Sequence, residues 1–273
     1  MQKYILENKN HTVVKVTDFG ATLVSVLFAD KDGVMKDMVL GYDDAASYEK
    51  GTSCFGATIG RNGNRIKDAR FTIDGKEWVI EANENGNSLH SGKNGFNHLM
   101  WEMKESGDNY VTFYHYSPQE EQGFPGNMHV TVTYTLDDED TVHITYNAKA
   151  DADTVMNFTN HSYFNLAGHD SGVMLDQKLQ LFADAYTPDE DSHSIPTGEI
   201  APVAGTPMDF TTMKPIGQDI NADFEQLHFT GGYDHNYVLS DKPGTMRQMA
   251  KAECDASGIA MDAYTECCGV QLY

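Results

Sequence analysis

Two histidines stand in segments suited to handling hydroxyl groups. His90 lies in Asn85-Gly-Asn-Ser-Leu-His-Ser-Gly-Lys-Asn-Gly-Phe96, a Gly/Asn-rich loop leaving a predicted strand. His161 lies in Asn157-Phe-Thr-Asn-His-Ser-Tyr-Phe-Asn-Leu-Ala-Gly168, among polar side chains of the kind that bind hydroxyls. Loops of this composition carry function where a rigid sheet positions them, and an imidazole exchanges protons near neutral pH. The competing reading for both is a hydrogen-bonded loop histidine. A third segment, Gly60-Arg-Asn-Gly-Asn-Arg65, offers hydroxyl or anion binders on a turn, against the plainer reading of two exposed arginines on a solvated turn. It lacks the Lys-Ser/Thr ending of a phosphate loop. Neither a G-x-S-x-G elbow nor an H-E-x-x-H helix occurs. His129 and His143 fall on the polar faces of a predicted hairpin, where a solvated role is expected. His11, His98, His115, His169, His193 and His228 have no local context that marks them for chemistry.

The elements that must position these groups are strands. Val130, Val132, Tyr134 and Leu136 alternate with Thr131, Thr133 and Thr135; Asp137 to Asp140 turns the chain, and Val142, Ile144 and Tyr146 resume the apolar face. Phe71 to Ile80 reads as a second hairpin turned by Asp74-Gly75, a pair that tolerates positive φ. Asn109 to Tyr116 alternates, as does His11 to Ala29 with a break near Gly20. Helical signals are thin: Asp43 to Lys50 predicts one or two turns ended by Gly51, and residues 217–228 another short turn. The proline-bearing stretch from Tyr186 to Asp209 reads as a long loop. Many short strands without alternating helices predict an all-β antiparallel sandwich or barrel in one domain, residues 1–273.

Composition narrows the partners. With 19 Lys+Arg against 41 Asp+Glu, the net charge of -22 argues against nucleic acid, whose phosphates need clustered cations, and against anionic membrane surfaces. A sugar or another neutral small molecule suits it. No apolar run approaches the roughly 20 residues that span a bilayer, and the first residues show no apolar leader, so the cytoplasm is the expected compartment. Cys54, Cys254, Cys267 and Cys268 form no C-x-x-C pair, and free thiols are expected rather than a zinc site.

The three polar segments resemble the aldose 1-epimerase (galactose mutarotase) family, as part of an ordered set along the chain. The set comprises Phe19-Gly-Ala-Thr-Leu23, Val39-Leu-Gly-Tyr42, the Gly60–Ile66 turn and Asn87-Ser-Leu-His90. It continues with Thr159-Asn-His-Ser-Tyr-Phe-Asn-Leu166, Pro196-Thr-Gly-Glu199, Gly205-Thr-Pro-Met-Asp-Phe210 and Tyr233-Asp-His-Asn236. The resemblance implies a large antiparallel β-sandwich of the galactose mutarotase-like type. It also implies interconversion of the α- and β-anomers of glucose- or galactose-type aldoses, without metal, nucleotide or other cofactor. On it, His161 matches the general acid that protonates the ring oxygen, and His90 and Arg65 match partners of that oxygen and its neighbouring hydroxyls. Asp234 matches an aspartate that holds sugar hydroxyls, and Asn64 and Gln271 fall at further sugar-contacting positions. Tyr163, Phe164 and Trp101 are candidate aromatic platforms for the sugar's C–H face.

Some features depart from the family pattern. Ser91 stands where a second glycine is usual, and Cys267-Cys268 replaces a Gln-Pro pair before Gly269. The family's general base is a glutamate beyond the Gly269-Val-Gln-Leu-Tyr273 motif, so the resemblance implies a C-terminally incomplete chain lacking that base and the last strands; Glu266 precedes the motif and does not match it. Two rival functions follow, a sugar-binding protein without catalysis on the same fold and a 1-epimerase of sugar phosphates. The acidic charge disfavours the second.

Overall fold

The period-two pattern of residues 128–150 becomes a long hairpin in the computed structural model, which describes residues 1–240 and 242–273. Met128–Leu136 pairs antiparallel with Val142–Ala150, Val132 opposite Tyr146. Val130, Val132, Tyr134 and Leu136 are each at most 1% exposed. Burying one such side chain contributes about 1.5–3 kcal/mol, and a one-residue slip would turn Thr131, Thr133 and Thr135 inward instead, so the burial sets the register. Tyr110–Ser117 and then Glu102–Ser106 extend the sheet in reverse sequence order.

The chain divides into two compact units, Met1–Ala29 with Gly33–His169, and Asp30–Asp32 with Asp170–Tyr273. In the first, a second meander runs Lys3–Glu7, Val13–Thr17, Thr22–Ala29, Met35–Asp37, with a bulge after Lys15. The two sheets meet where the Tyr4 ring packs edge-on against Phe113 at 5.4 Å and the buried Tyr134 hydroxyl donates to Ala21 O at 2.7 Å. The predicted Asp74-Gly75 hairpin forms between Arg70–Ile73 and Lys76–Val79, with φ of 51° and 76° at the turn. The predicted helix forms at Ala45–Lys50, started by the Asp44 carboxylate accepting the Ser47 N–H at 2.9 Å and stopped at Gly51.

The second unit holds two more antiparallel sheets. One runs Lys214–Pro215, Lys178–Leu181, Arg247–Cys254, Ile259–Thr265; the other runs Ala201–Pro202, Ala185–Tyr186, His235–Val238, Gly269–Leu272. Tyr186, Met208, Phe210, Tyr233 and Tyr237 fill its core. Residues 217–228 resolve into a 3-10 turn, Ile216–Gln218, and a helix, Glu225–Thr230, closed by Gly231 at φ 70°. The stretch from Tyr186 to Asp209 is more ordered than a loop. Ala201–Pro202 pairs with Ala185–Tyr186, and Asp189 bridges Pro196, because a partly buried backbone must find partners for its N–H and C=O groups. The four cysteines are free thiols. Among the described residues no helix is long and apolar enough to cross a membrane.

Candidate active site

His161 leaves a two-residue strand, Thr159–Asn160, that pairs with Thr58–Ile59. Its N–H donates to Ala57 O at 2.9 Å, and its carbonyl accepts the Gly56 N–H at 2.8 Å, so its backbone is clamped at both ends. Gly56 makes this possible: its φ is 64°, and a Cβ there would lie 1.8 Å from Leu23 O. Asn160 Nδ2 braces the same segment by donating to Gly56 O and to the Tyr134 hydroxyl. The imidazole of His161 lies 5.1 Å from the Tyr163 ring and stands perpendicular to His90, centroids 5.2 Å apart at 89°.

His90 comes from the far side on its Gly/Asn loop, in a left-handed conformation at φ 53°. Backbone pairing of Arg65–Ile66 with Ser88–Leu89 brings this loop to the arginine turn. The Asn64 N–H donates to His90 Nδ1 at 3.0 Å, and His90 N–H returns a bond to Asn64 O at 3.1 Å. A backbone N–H can only donate, so Nδ1 is unprotonated and the ring carries its hydrogen on Nε2. Burial, then the neighbouring charges of His161 and Arg65, push the His90 pKa down to about 3. His90 is therefore a neutral donor at physiological pH.

The arginine turn corrects one expectation: its two arginines are not both exposed. Arg61 is 0% exposed. Its guanidinium donates to Ser117 Oγ and to the carbonyls of Ser117, Pro118, Pro125 and Gly126. Chain segments crowding around the turn supply enough oxygens to bury that charge, which a scan of local sequence cannot foresee. Arg65 is 13% exposed at its side chain and forks onto Glu84, with Nε to Oε2 at 2.5 Å and Nη2 to Oε1 at 3.0 Å. Ser91, the departure from the family pattern, closes the loop on the turn. Its Oγ accepts the Asn62 N–H at 2.8 Å and donates to Asn62 O at 3.2 Å.

Within the second unit, Gln271 Nε2 donates to Asp234 Oδ1 at 2.7 Å, and strand pairing sets Gln271 opposite Asn236. Below them lies a histidine that local context did not mark. His235 Nδ1 accepts the Asp234 N–H at 3.2 Å, and its Nε2–H donates to Gln226 Oε1 at 3.2 Å. Gln226 is tied to Asp189 through both the N–H and the carbonyl of that residue. Burial lowers the His235 pKa to about 4.

The first unit thus gathers Asn64, Arg65, His90 and His161 at one place, and the second pairs Asp234 with Gln271. Of the aromatic candidates, Tyr163 and Phe164 are half-buried. Trp101 is 3% exposed with its Nε1–H on Phe96 O, which makes it core. His129 and His143 are exposed as expected. Sequence reasoning missed Glu84, one residue before the loop as read from Asn85, and also the part-buried pairing of His115 with Glu121 at 3.1 Å. Asn85-Gly86 was the available signal for Glu84, since an Asn-Gly pair turns a hairpin and puts its flanks side by side. No group of three or more His, Cys, Asp or Glu able to hold a metal ion occurs among the described residues.

Comparisons with known proteins define the class of this antiparallel β protein with two adjacent histidines and a braced arginine. The aldose 1-epimerase family model matches residues 2–273. Galactose mutarotase of Rattus norvegicus is 39% identical over 260 residues, 95% of this chain and 73% of that protein. Aldose 1-epimerase of Escherichia coli (strain K12) is 36% identical over 268 residues, 98% and 77% respectively. Among solved structures, a GalM/aldose epimerase homologue from C. elegans superposes with a TM-score of 0.86 at 29% identity, covering 96% of this chain and 78% of that one. A galactose 1-epimerase from Lactobacillus acidophilus NCFM gives a TM-score of 0.80 at 29% identity, covering 92% and 72%. The chain belongs to the aldose 1-epimerase family.

Proposed function

We propose that the protein interconverts the α- and β-anomers of glucose- or galactose-type aldoses by opening and reclosing the sugar ring. Opening a hemiacetal requires a proton delivered to the ring oxygen while the anomeric hydroxyl loses one. The freed aldehyde then rotates about its bond to C2, and closure on either face yields either anomer.

One observation carries the assignment of the acid: two imidazoles face each other at 5.2 Å, and burial with a fixed tautomer keeps His90 neutral. Two adjacent imidazolium ions would repel, so silencing one lets the other hold the proton. His161 is the general acid in this reading. The Nε2–H of His90 and the remaining N–H groups of Arg65 hold the ring oxygen and its neighbouring hydroxyls, with Asn64 beside them. Arg65 suits this role because its charge is permanent and its donors are planar. Asp234 and Gln271 accept and donate to further hydroxyls. No cofactor is required by this chemistry. A neutral sugar is the partner the charge of -22 favours, and the cytoplasm is the compartment that four free thiols suit.

The test is the decay of optical rotation of fresh α-D-glucose and α-D-galactose. The protein accelerates it, and His161→Ala removes about 10²–10⁴-fold of that rate. An unchanged rate in the variant refutes the acid assignment. Saturable sugar binding by calorimetry without acceleration refutes the enzyme in favour of a binding protein.

A further inference from the structure

Arg65 is held by one side chain. The two oxygens of Glu84 take its Nε–H and one Nη2–H as a fork, the arrangement in which a guanidinium and a carboxylate lie in one plane. Both side chains are largely out of water, 13% and 28% exposed. Of the five N–H groups of an arginine, the fork leaves both on Nη1 and one on Nη2. An unpaired arginine spreads those donors over many rotamers, at a cost in entropy when a ligand must gather them.

Glu84 is itself fixed. It exchanges backbone hydrogen bonds with Asn87, N–H to O at 3.1 Å and O from N–H at 2.7 Å. The turn between them has Asn85 at φ 51° and Gly86 at φ 85°. The Asn83 side chain accepts the Leu89 N–H at 2.7 Å and donates to Leu89 O at 3.0 Å, and Asn87 Oδ1 accepts the Asp68 N–H. This braced segment ends at His90, which is bonded twice to Asn64. One loop therefore carries the neutral imidazole and, six residues earlier, the carboxylate that sets the guanidinium plane.

We propose that Glu84 is a positioning residue for sugar binding: its carboxylate orients Arg65 so that the three remaining N–H groups face the substrate alongside the Nε2–H of His90. The proposal rests on the reading of Arg65 as a donor to the sugar. Locking both donors to one loop makes their separation a property of the fold rather than of side-chain rotamers.

The test is a double-variant cycle. Glu84→Gln keeps the shape and removes the charge and one acceptor oxygen; it lowers kcat/KM for α-D-galactose mutarotation by about 10–100-fold, the scale of a misplaced binding group. Glu84→Asp keeps the charge on a shorter arm and recovers part of the loss. In an Arg65→Met background the Glu84→Gln change alters kcat/KM by less than about 2-fold, because the group being positioned is gone. The Arg65 Nε–H signal in nitrogen-15 NMR, slow to exchange in the wild type, becomes fast in Glu84→Gln. Effects that multiply in the double variant, or an unchanged kcat/KM in Glu84→Gln, overturn the proposal. A wild-type protein that does not accelerate mutarotation refutes the functional reading instead, and the Nε–H signal then decides for Glu84 alone: its loss supports the orienting fork, and its persistence overturns it.

Discussion

His90 and His235 sit in different compact units and follow one plan. Each is held neutral by burial, at a pKa of about 3 and about 4 respectively. Each accepts a backbone N–H at Nδ1, from Asn64 in one and Asp234 in the other, and each of those donors carries a side chain proposed to hold sugar. The plans part at Nε2. His235, with a fully buried side chain, gives its Nε2–H to Gln226. His90 gives its own to no hydrogen-bond acceptor among the described residues, and its ring faces His161. A depressed histidine pKa by itself therefore does not mark a catalytic group. What distinguishes the two is whether the second nitrogen is satisfied inside the protein: His235 spends its donor on Gln226, whereas His90, half-buried, keeps its donor for water or a ligand.

The largest effect expected from this contrast is catalytic. His90→Phe keeps a ring but loses the outward donor, and kcat/KM in the mutarotation assay falls by about 10²–10³-fold, the scale of one preorganised donor removed. His235→Phe leaves kcat/KM within about 3-fold in the folded protein, since its donor is spent internally. Equal losses in the two variants would break the comparison.

The next effect concerns pH. Both histidines have folded pKa values below the ordinary 6.5, so the unfolded chain binds protons that the folded one refuses. Stability is whole above pH 6.5 and falls as pH drops towards 4, with each histidine contributing roughly 3 kcal/mol over that window. Urea unfolding at a series of pH values measures the slope, and His235→Phe makes it shallower; a slope unchanged in that variant would remove His235 from the account.

Smaller still is the loss of the support below Asp234. Gln226→Leu leaves the His235 Nε2–H without an acceptor and costs about 1–3 kcal/mol in the same unfolding measurement. Smallest is Trp101→Phe, which forfeits one hydrogen bond to Phe96 O, costs about 0.5–1.5 kcal/mol, and leaves KM unchanged. A raised KM there would return Trp101 to the substrate.

Much of this was legible in sequence where the signal was local. Alternation over 130–136 named the buried face residue by residue, and Asp74-Gly75 named the turn of the separate hairpin of residues 71–80. The ordered motifs named His90, His161, Arg65 and Asp234. Partners from distant segments were not legible. Arg61 looked like its neighbour Arg65 on an exposed turn, yet it is buried because carbonyls from residues 117–126 converge on it. Ser91, read as a departure from the family pattern, bonds twice to Asn62, a contact across 29 positions. His235 stood inside a recognised motif, but the role of its ring depends on Gln226 and Asp189.

The ordered motifs carried the resemblance to the family, while residue types and their spacing by themselves determined the all-β class, the acidic character that favours a neutral substrate, and which side chains are chemically able to move a proton or hold a hydroxyl. These follow from properties each residue carries alone or with near neighbours: side-chain period, turn conformation, charge and intrinsic pKa. Only the tertiary structure decided which of two similar arginines is buried, which imidazole is neutral, which of its nitrogens carries the hydrogen, and that Glu84 pairs with Arg65. Burial and hydrogen-bond partners are set by segments far apart in the chain, and they shift protonation and orientation by several kcal/mol, more than any local preference supplies.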